Sequence, residues 1–255
     1  MTSLSWPHLT HLHRGIKNQR WAWPGLREIL FNDLERIHKK SGHWDLVLFT
    51  GDLTQKGSSE EFKEVDEIFE QLWRHFRKLG FDPKLLAVSG NHDLVRPDPD
   101  DPFVLLFEDW EQKRIVRDTF WENPESPYRE AIQHSFDNYT DWWSKQPYKA
   151  ENVNPGMLPG DFAVTIEKDR SEFGIIGLNS AFLQLSDKNY QGKLALHAAQ
   201  FHDAVVDDDG PEWAKNHNAC LFMTHHPPKW LNPESVQQLN GEITSHGRFA
   251  IHICG

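Results

Sequence analysis

Short, almost uninterrupted apolar runs alternate along the chain with longer stretches whose apolar residues recur every three to four positions. The first pattern predicts buried strands and the second amphipathic helices, an alternation that lays helices over the faces of a sheet. Leu4 to Leu9 reads as a weak first strand ending in Thr10-His11-Leu12-His13-Arg14-Gly15. From Trp23 to Lys39 the residues Leu26, Ile29, Leu30, Leu34 and Ile37 share one helical face, and Pro24 suits a first turn. Asp45 to Thr50 predicts a central strand that stops at Gly51-Asp52. Ser58 or Ser59 then caps a helix marked by Phe62, Val65, Ile68, Phe69, Leu72 and Phe76. A third strand, Lys84 to Val88, runs into Gly90-Asn91-His92-Asp93.

At Pro97 to Pro102 the pattern changes, because three prolines in six residues break regular structure. Phe103 to Lys145 predicts two or three helices inserted into the α/β core, the whole insert covering about residues 97–150, as a candidate lid over a site. Its aromatics, Trp110, Phe120, Trp121, Phe136, Tyr139, Trp142 and Trp143, read as the insert's packing surface rather than a platform for nucleic-acid bases. Strand character returns in Phe162 to Glu167 and Phe173 to Leu178, expected as antiparallel neighbours across Lys168-Asp169-Arg170. Leu194 to Val206 reads as a helix, Ala219 to Met223 as a strand leading into Thr224-His225-His226-Pro227-Pro228, and Phe249 to Cys254 as a last strand.

Composition narrows the class. The 255 residues suit a single domain, and 38% hydrophobic content with 11 tryptophans supplies a large core. A net charge of −11 speaks against a broad basic face for nucleic acid, while leaving room for a local metal-lined cleft. Cys220 and Cys254 lie in apolar runs and read as buried free thiols of a reducing compartment. Neither a signal peptide nor an apolar run of membrane-spanning length stands out, so a soluble, cytoplasmic protein with no membrane partner is expected. The acidic runs Asp98 to Asp101 and Asp207 to Asp209, flanked by Pro or Gly, read as solvated loops.

Four strand ends carry polar clusters: His11 and His13, Asp52, Asn91-His92-Asp93, and His225-His226. Ligands of open α/β sheets bind beyond the carboxyl ends of strands, so these clusters can converge. Imidazoles with a carboxylate suit two divalent ions such as Mn, Fe, Zn or Co, and a shared carboxylate lets such a pair hydrolyse a phosphate ester without a protein nucleophile. Taken singly, each has a plainer reading: Gly-Asp is a common turn, and His-His-Pro-Pro can simply end a strand. His8, His197, His202, His246 and His252 fall outside the pattern and read as structural or surface residues.

In order, Leu9-Thr10-His11-Leu12-His13, Gly51-Asp52-Leu53-Thr54, Gly90-Asn91-His92-Asp93 and His225-His226-Pro227 resemble the successive signatures of the calcineurin-like metallophosphoesterases. That family's pattern is Asp-x-His, Gly-Asp, Gly-Asn-His-Asp/Glu, a His ahead of a Pro, and Gly-His-x-His. The resemblance implies a mixed α/β fold, a four-layer α/β/β/α sandwich with a helical insert. It implies that Asp52 bridges two ions, that His13 serves the first, and that Asn91 and His225 serve the second. His92 would act as proton donor, with Asp93 orienting its imidazole. Two departures stand out. His11 replaces the first Asp, and Gly255 matches the opening Gly of the last signature, which suggests a fragment of a longer protein. The expected function is hydrolysis of a phosphate ester, with phosphodiesters slightly favoured. The rival is a catalytically impaired binding domain, or the N-terminal effector part of a larger protein.

Overall fold

The computed structural model describes residues 2–16 and 19–255, leaving aside the side chains of residues 19–22, 208 and 246, so that the reading of His246 lies outside the described side chains. Strands β1 (His8–Leu9), β2 (Leu46–Thr50) and β3 (Lys84–Val88) form a parallel sheet in that order. Strands β4 (Asn154–Pro155), β5 (Phe162–Lys168), β6 (Ser171–Gly177), β7 (Ala219–Met223) and β8 (Ile251–Ile253) form a second sheet, antiparallel through β6 and parallel from β6 to β8. The β5–β6 hairpin turns at Asp169-Arg170, where Asp169 takes a positive φ of 54°.

The period-two alternation of side chains explains the layering. Leu46, Leu48, Leu86 and Val88 meet Phe162, Val164, Ile175, Leu221 and Met223 to form the core between the sheets. On the opposite face of the first sheet, Val47, Phe49, Leu85 and Ala87 join the core that includes Phe62, Val65, Phe69, Leu72 and Phe76 of α2 (Ser59–Lys78). Both faces of β2 and β3 are thus covered, which is why these strands read as continuous apolar runs. The expected four-layer sandwich is the fold. Ser58 starts α2 through a reciprocal capping box with Glu61.

Several local expectations change. Only His8 and Leu9 form a ladder in the first strand; the preceding segment holds β2 irregularly through Ser5 O and Pro7 O, and Pro7 has no N–H to offer. Helix α1 (Gln19–Ser41) contains Pro24 inside it rather than in a first turn, and Leu26, Ile29 and Ile37 are exposed while Leu34 is buried. The helix meets α2, where Phe31 stacks on His75 with ring centroids 4.4 Å apart and Arg27 donates to Gln71.

The insert contains four α-helices, α3 (Pro102–Glu108), α4 (Arg114–Glu122), α5 (Pro127–Ser135) and α6 (Asp137–Ser144). Trp142 stacks on Phe62 at 5.2 Å and donates its Nε1–H to Asp66, and the Tyr139 hydroxyl donates to Ala87 O. The aromatics therefore pack, as expected, and Trp142 joins α6 to α2 while Tyr139 joins it to β3. Asp101 caps α3 through Phe103 N, so this acidic loop is also a helix start.

On the second sheet, α7 (Ala198–Asp203) is shorter than the predicted helix, because Leu194 is bonded into a bridge with Leu231 and His197 caps the first turn. Helices α8 (Gly210–Lys215) and α9 (Pro233–Gln238) follow. The last strand is also shorter than its apolar run, since Phe249 turns to pack on Phe201 and Phe222. Cys220 is buried, whereas Cys254 is only half-buried, a correction to the expected pair of buried thiols; both are free. No helix among the described residues is long and apolar enough to cross a membrane.

Candidate metal centre

The loops leaving β1, β2, β3 and β7 bring His11, His13, Asp52, Asn91, His92 and His225 to one place. Two backbone bonds, His11 N–H to Gly51 O at 3.2 Å and His13 N–H to Asp52 O at 2.9 Å, tie the first loop to the second. His11, His13 and Asp52 have φ of 55°, 46° and 57°, a left-handed conformation that costs non-glycine residues about 1 kcal/mol or more each. Strain of this kind persists where the surroundings enforce it. Gly51 shows how tight they are: a Cβ there would lie 2.6 Å from Gly90 N and 2.7 Å from His225 Nδ1. One at Gly90 would lie 2.3 Å from Asp52 Oδ1.

Asp52 is buried and its two oxygens have separate tasks. Oδ1 accepts the His92 backbone N–H at 3.0 Å. Oδ2 faces the Nε2 atoms of His225 at 3.5 Å, His13 at 3.6 Å and His11 at 3.7 Å. These separations are long for hydrogen bonds, yet they suit two ligands that share one ion through bonds of roughly 2.0–2.2 Å.

The proton positions strengthen the fit. A carbonyl can only accept, so His225 Nδ1–H donates to Thr50 O at 2.6 Å and His92 Nδ1–H to Gln55 O at 2.9 Å. The Nε2 lone pair of neutral His225 then lies 3.1 Å from Asn91 Oδ1 and 3.5 Å from Asp52 Oδ2. Electron pairs converge on that point, which calls for a cation. His13 Nδ1 is buried and finds no partner among the described residues. Burial, the largest effect, pushes the pKa of His13 and His225 down against the opposing pull of Asp52, favouring the neutral imidazoles that ligate metals.

Ligand atoms of His11, Asp52 and His225 lie within 4.8 Å of one another, as do those of His13, Asp52 and His92. Asp52 is common to both groups. His11 therefore stands beside His225 as well as His13, with ring centroids 5.4 Å from each.

Asp93 corrects the sequence expectation. It is fully buried, accepts from Gly90 N and Thr54 N at 2.9 Å each and from the Thr54 hydroxyl at 3.1 Å, and braces the turn rather than the His92 ring. Burial, then the nearby Asp52 charge, raises its pKa to about 7. The partner of His92 is the Gln55 carbonyl, which sequence reading missed because a backbone acceptor leaves no trace in residue identity. His226 also departs from its neighbour: its backbone N–H and ring bond to Ser180, and the ring packs near Trp230.

His252 is a satisfied strand histidine, as expected. The Thr224 hydroxyl donates to His226 O, so it accepts from His252 Nε2–H at 2.8 Å. Burial lowers the His252 pKa to about 4. An unfolded histidine gains its proton near pH 6.5, so between these values the unfolded state binds more protons and folding stability falls as pH falls. The expected loss attributable to His252 between pH 6.5 and 4 is about 3 kcal/mol. Urea unfolding across this range should show a shallower pH slope in His252→Gln; an unchanged slope would contradict the assignment.

Paired sheets thus carry, at the ends of four strands, an imidazole and carboxylate cluster of the kind that can hold metal ions. A sequence model of the calcineurin-like phosphoesterases matches residues 8–255, and the chain belongs to this family. Comparison with curated proteins gives no match. Among solved structures, the chain is similar to a candidate 5'-nucleotidase from Staphylococcus aureus, in complex with alpha-ketoglutarate, with a TM-score of 0.42 and 13% identity over 99% of this chain. The chain spans 44% of that structure's length.

Proposed function

We propose that this chain hydrolyses a phosphate ester, with phosphodiesters slightly favoured, at a centre of two divalent cations sharing Asp52. The main support is the Asp52 carboxylate itself: one oxygen fixed by an amide, the other facing three imidazole Nε2 atoms. His13 and His11 would serve one cation and Asn91 and His225 the other, the donor set suiting Mn, Fe, Zn or Co. Bound there, such cations supply Lewis acidity and ease the ionisation of water. His92 is the proton donor in this reading. Its imidazolium form keeps Nδ1–H on the Gln55 carbonyl and offers the second proton, on Nε2, to the leaving oxygen. Asp93 keeps the turn that carries His92 in register. We also take the chain as one domain with its insert near residues 97–150, and as cytoplasmic, in keeping with its free thiols.

The test is metal content together with turnover of bis(p-nitrophenyl) phosphate after reconstitution with Mn or Zn. Wild type should hold two ions per chain. His92→Ala should retain both while losing about 100-fold in turnover. His11→Asp restores a second anionic ligand and should raise Mn affinity by at least roughly tenfold, the lower end of what changes one shell further out produce. A wild-type protein that holds two ions and hydrolyses no phosphate ester would instead be a binding module built on this fold.

A further inference from the structure

Asn91 and His225, whose side-chain atoms meet at 3.1 Å, come from different sheets: Asn91 follows β3 of the first and His225 follows β7 of the second. Their spacing therefore depends on how the two sets of strand ends are held together. The apolar core between the sheets is non-directional, whereas hydrogen bonds fix distance and angle. A buried polar bridge supplies such bonds. Ser89, between β3 and the Gly90–Asp93 turn, donates its hydroxyl to Pro159 O at 3.0 Å. Asn179, two residues beyond β6, donates Nδ2–H to the same oxygen at 2.8 Å. A carbonyl has two lone pairs and accepts both. Ser180 Oγ in turn accepts the backbone N–H of His226 at 2.8 Å. A line of contacts thus runs from Ser89 through Pro159, Asn179 and Ser180 to His226, with Asn91 just beyond one end and His225 beside the other.

The loop that carries Pro159 is itself anchored. Asp161 accepts Asn179 N–H at 2.6 Å, Leu158 N–H at 3.0 Å and Gln200 Nε2–H at 3.1 Å. Gly160 has a φ of 93°, and a Cβ there would lie 2.5 Å from Ser89 Oγ and 2.9 Å from Ser89 N, so only glycine lets the loop approach the start of the turn this closely. Ser89, Asp161, Asn179 and Ser180 are all buried.

We propose that Ser89, Asn179 and Ser180 are positioning residues that set the spacing of Asn91 and His225, and that the Pro159–Asp161 loop holds the two strand ends in register for the cation these ligands share. The proposal rests on the two-cation reading above and concerns residues outside the four sequence signatures.

Cobalt(II) titration of the full chain, followed by visible absorption and equilibrium dialysis, tests this through two stepwise dissociation constants. Asn91→Ala identifies the constant that belongs to the Asn91–His225 position. Ser89→Ala removes one link of the bridge while Asn179 still satisfies the Pro159 carbonyl, so no buried acceptor is stranded. It should weaken that same constant by about three- to tenfold, near the lower end of what partners of metal ligands produce, and shift the visible band of that ion. The other constant should stay at its wild-type value. Gly160→Ala, which crowds Ser89, should have the same selective effect, and unfolding midpoints verify that both variants fold. Equal weakening of both constants in Ser89→Ala would make the bridge a general brace, and unchanged constants would disconnect it from the centre. Either result overturns the proposal and leaves the phosphoesterase reading in place. A wild type that binds fewer than two cobalt ions would overturn the two-cation reading and this proposal together.

Discussion

On the proposed two-cation reading, Asp52→Asn is expected to reduce metal content from two ions per chain to less than one and to lower turnover at least a thousandfold. Asparagine keeps an oxygen for the His92 backbone N–H, so the loop retains its main anchor. The other position, however, becomes an amide nitrogen without negative charge, placed among Nε2 atoms at 3.5–3.7 Å. It can donate to one imidazole but cannot ligate, and both groups of donors lose their common member. Changes one shell further out already cost about 10–100-fold in metal affinity, so loss of the shared ligand should exceed that. Elemental analysis of the purified variant gives the metal count, and circular dichroism verifies the fold. Two ions retained in Asp52→Asn would place the centre elsewhere.

For stability the largest expected effect is at Trp73, far from the chemistry. This side chain is 1% exposed, stacks on Tyr148 at 4.3 Å and packs edge-on against Phe76. Its Nε1–H donates to Pro83 O at 2.8 Å, next to the start of β3, and Tyr148 O accepts Leu85 N–H from that strand. Trp73 therefore joins α2 to the strand whose far end delivers Asn91 and His92. Trp73→Ala should cost about 3–5 kcal/mol, a large part of the 5–15 kcal/mol typical of a folded domain. Trp73→Phe retains most of the packing and should cost about 1–3 kcal/mol, mainly for the stranded carbonyl. Urea unfolding midpoints would show the order; a loss under 1 kcal/mol in Trp73→Ala would mean that the cavity collapses freely.

What could be read in the sequence followed from periodicity and from motif position. β2, β3 and β7 were legible because burial on both faces leaves an unbroken apolar run, as in Leu46 to Phe49. Asp52 and the Asn91–Asp93 turn were legible because glycine precedes each where the chains approach closely. The shortening of β1 was signalled by Pro7, which has no N–H for a ladder; that of α7 was not legible, since the Leu194–Leu231 bridge acts through a partner distant in sequence. The same reason hid the second layer of the centre. Thr50 O holds His225 and Gln55 O holds His92, and any residue type presents such a carbonyl. Asp93 misled for the converse reason: its identity fits an imidazole partner, but geometry gives it to Thr54 and Gly90.

The left-handed backbone at residues 11, 13 and 52 also limits which amino acids these positions can accept. β-Branched and bulky side chains are outliers in that conformation, whereas asparagine, aspartate and histidine enter it several times more often than other non-glycine residues. Those three are all metal-ligating types. The folding constraint and the coordination constraint thus select from nearly the same short alphabet. An aspartate exchanged for histidine at position 11 stays within it, so the loop can change the character of its ligand while the chain trace remains intact.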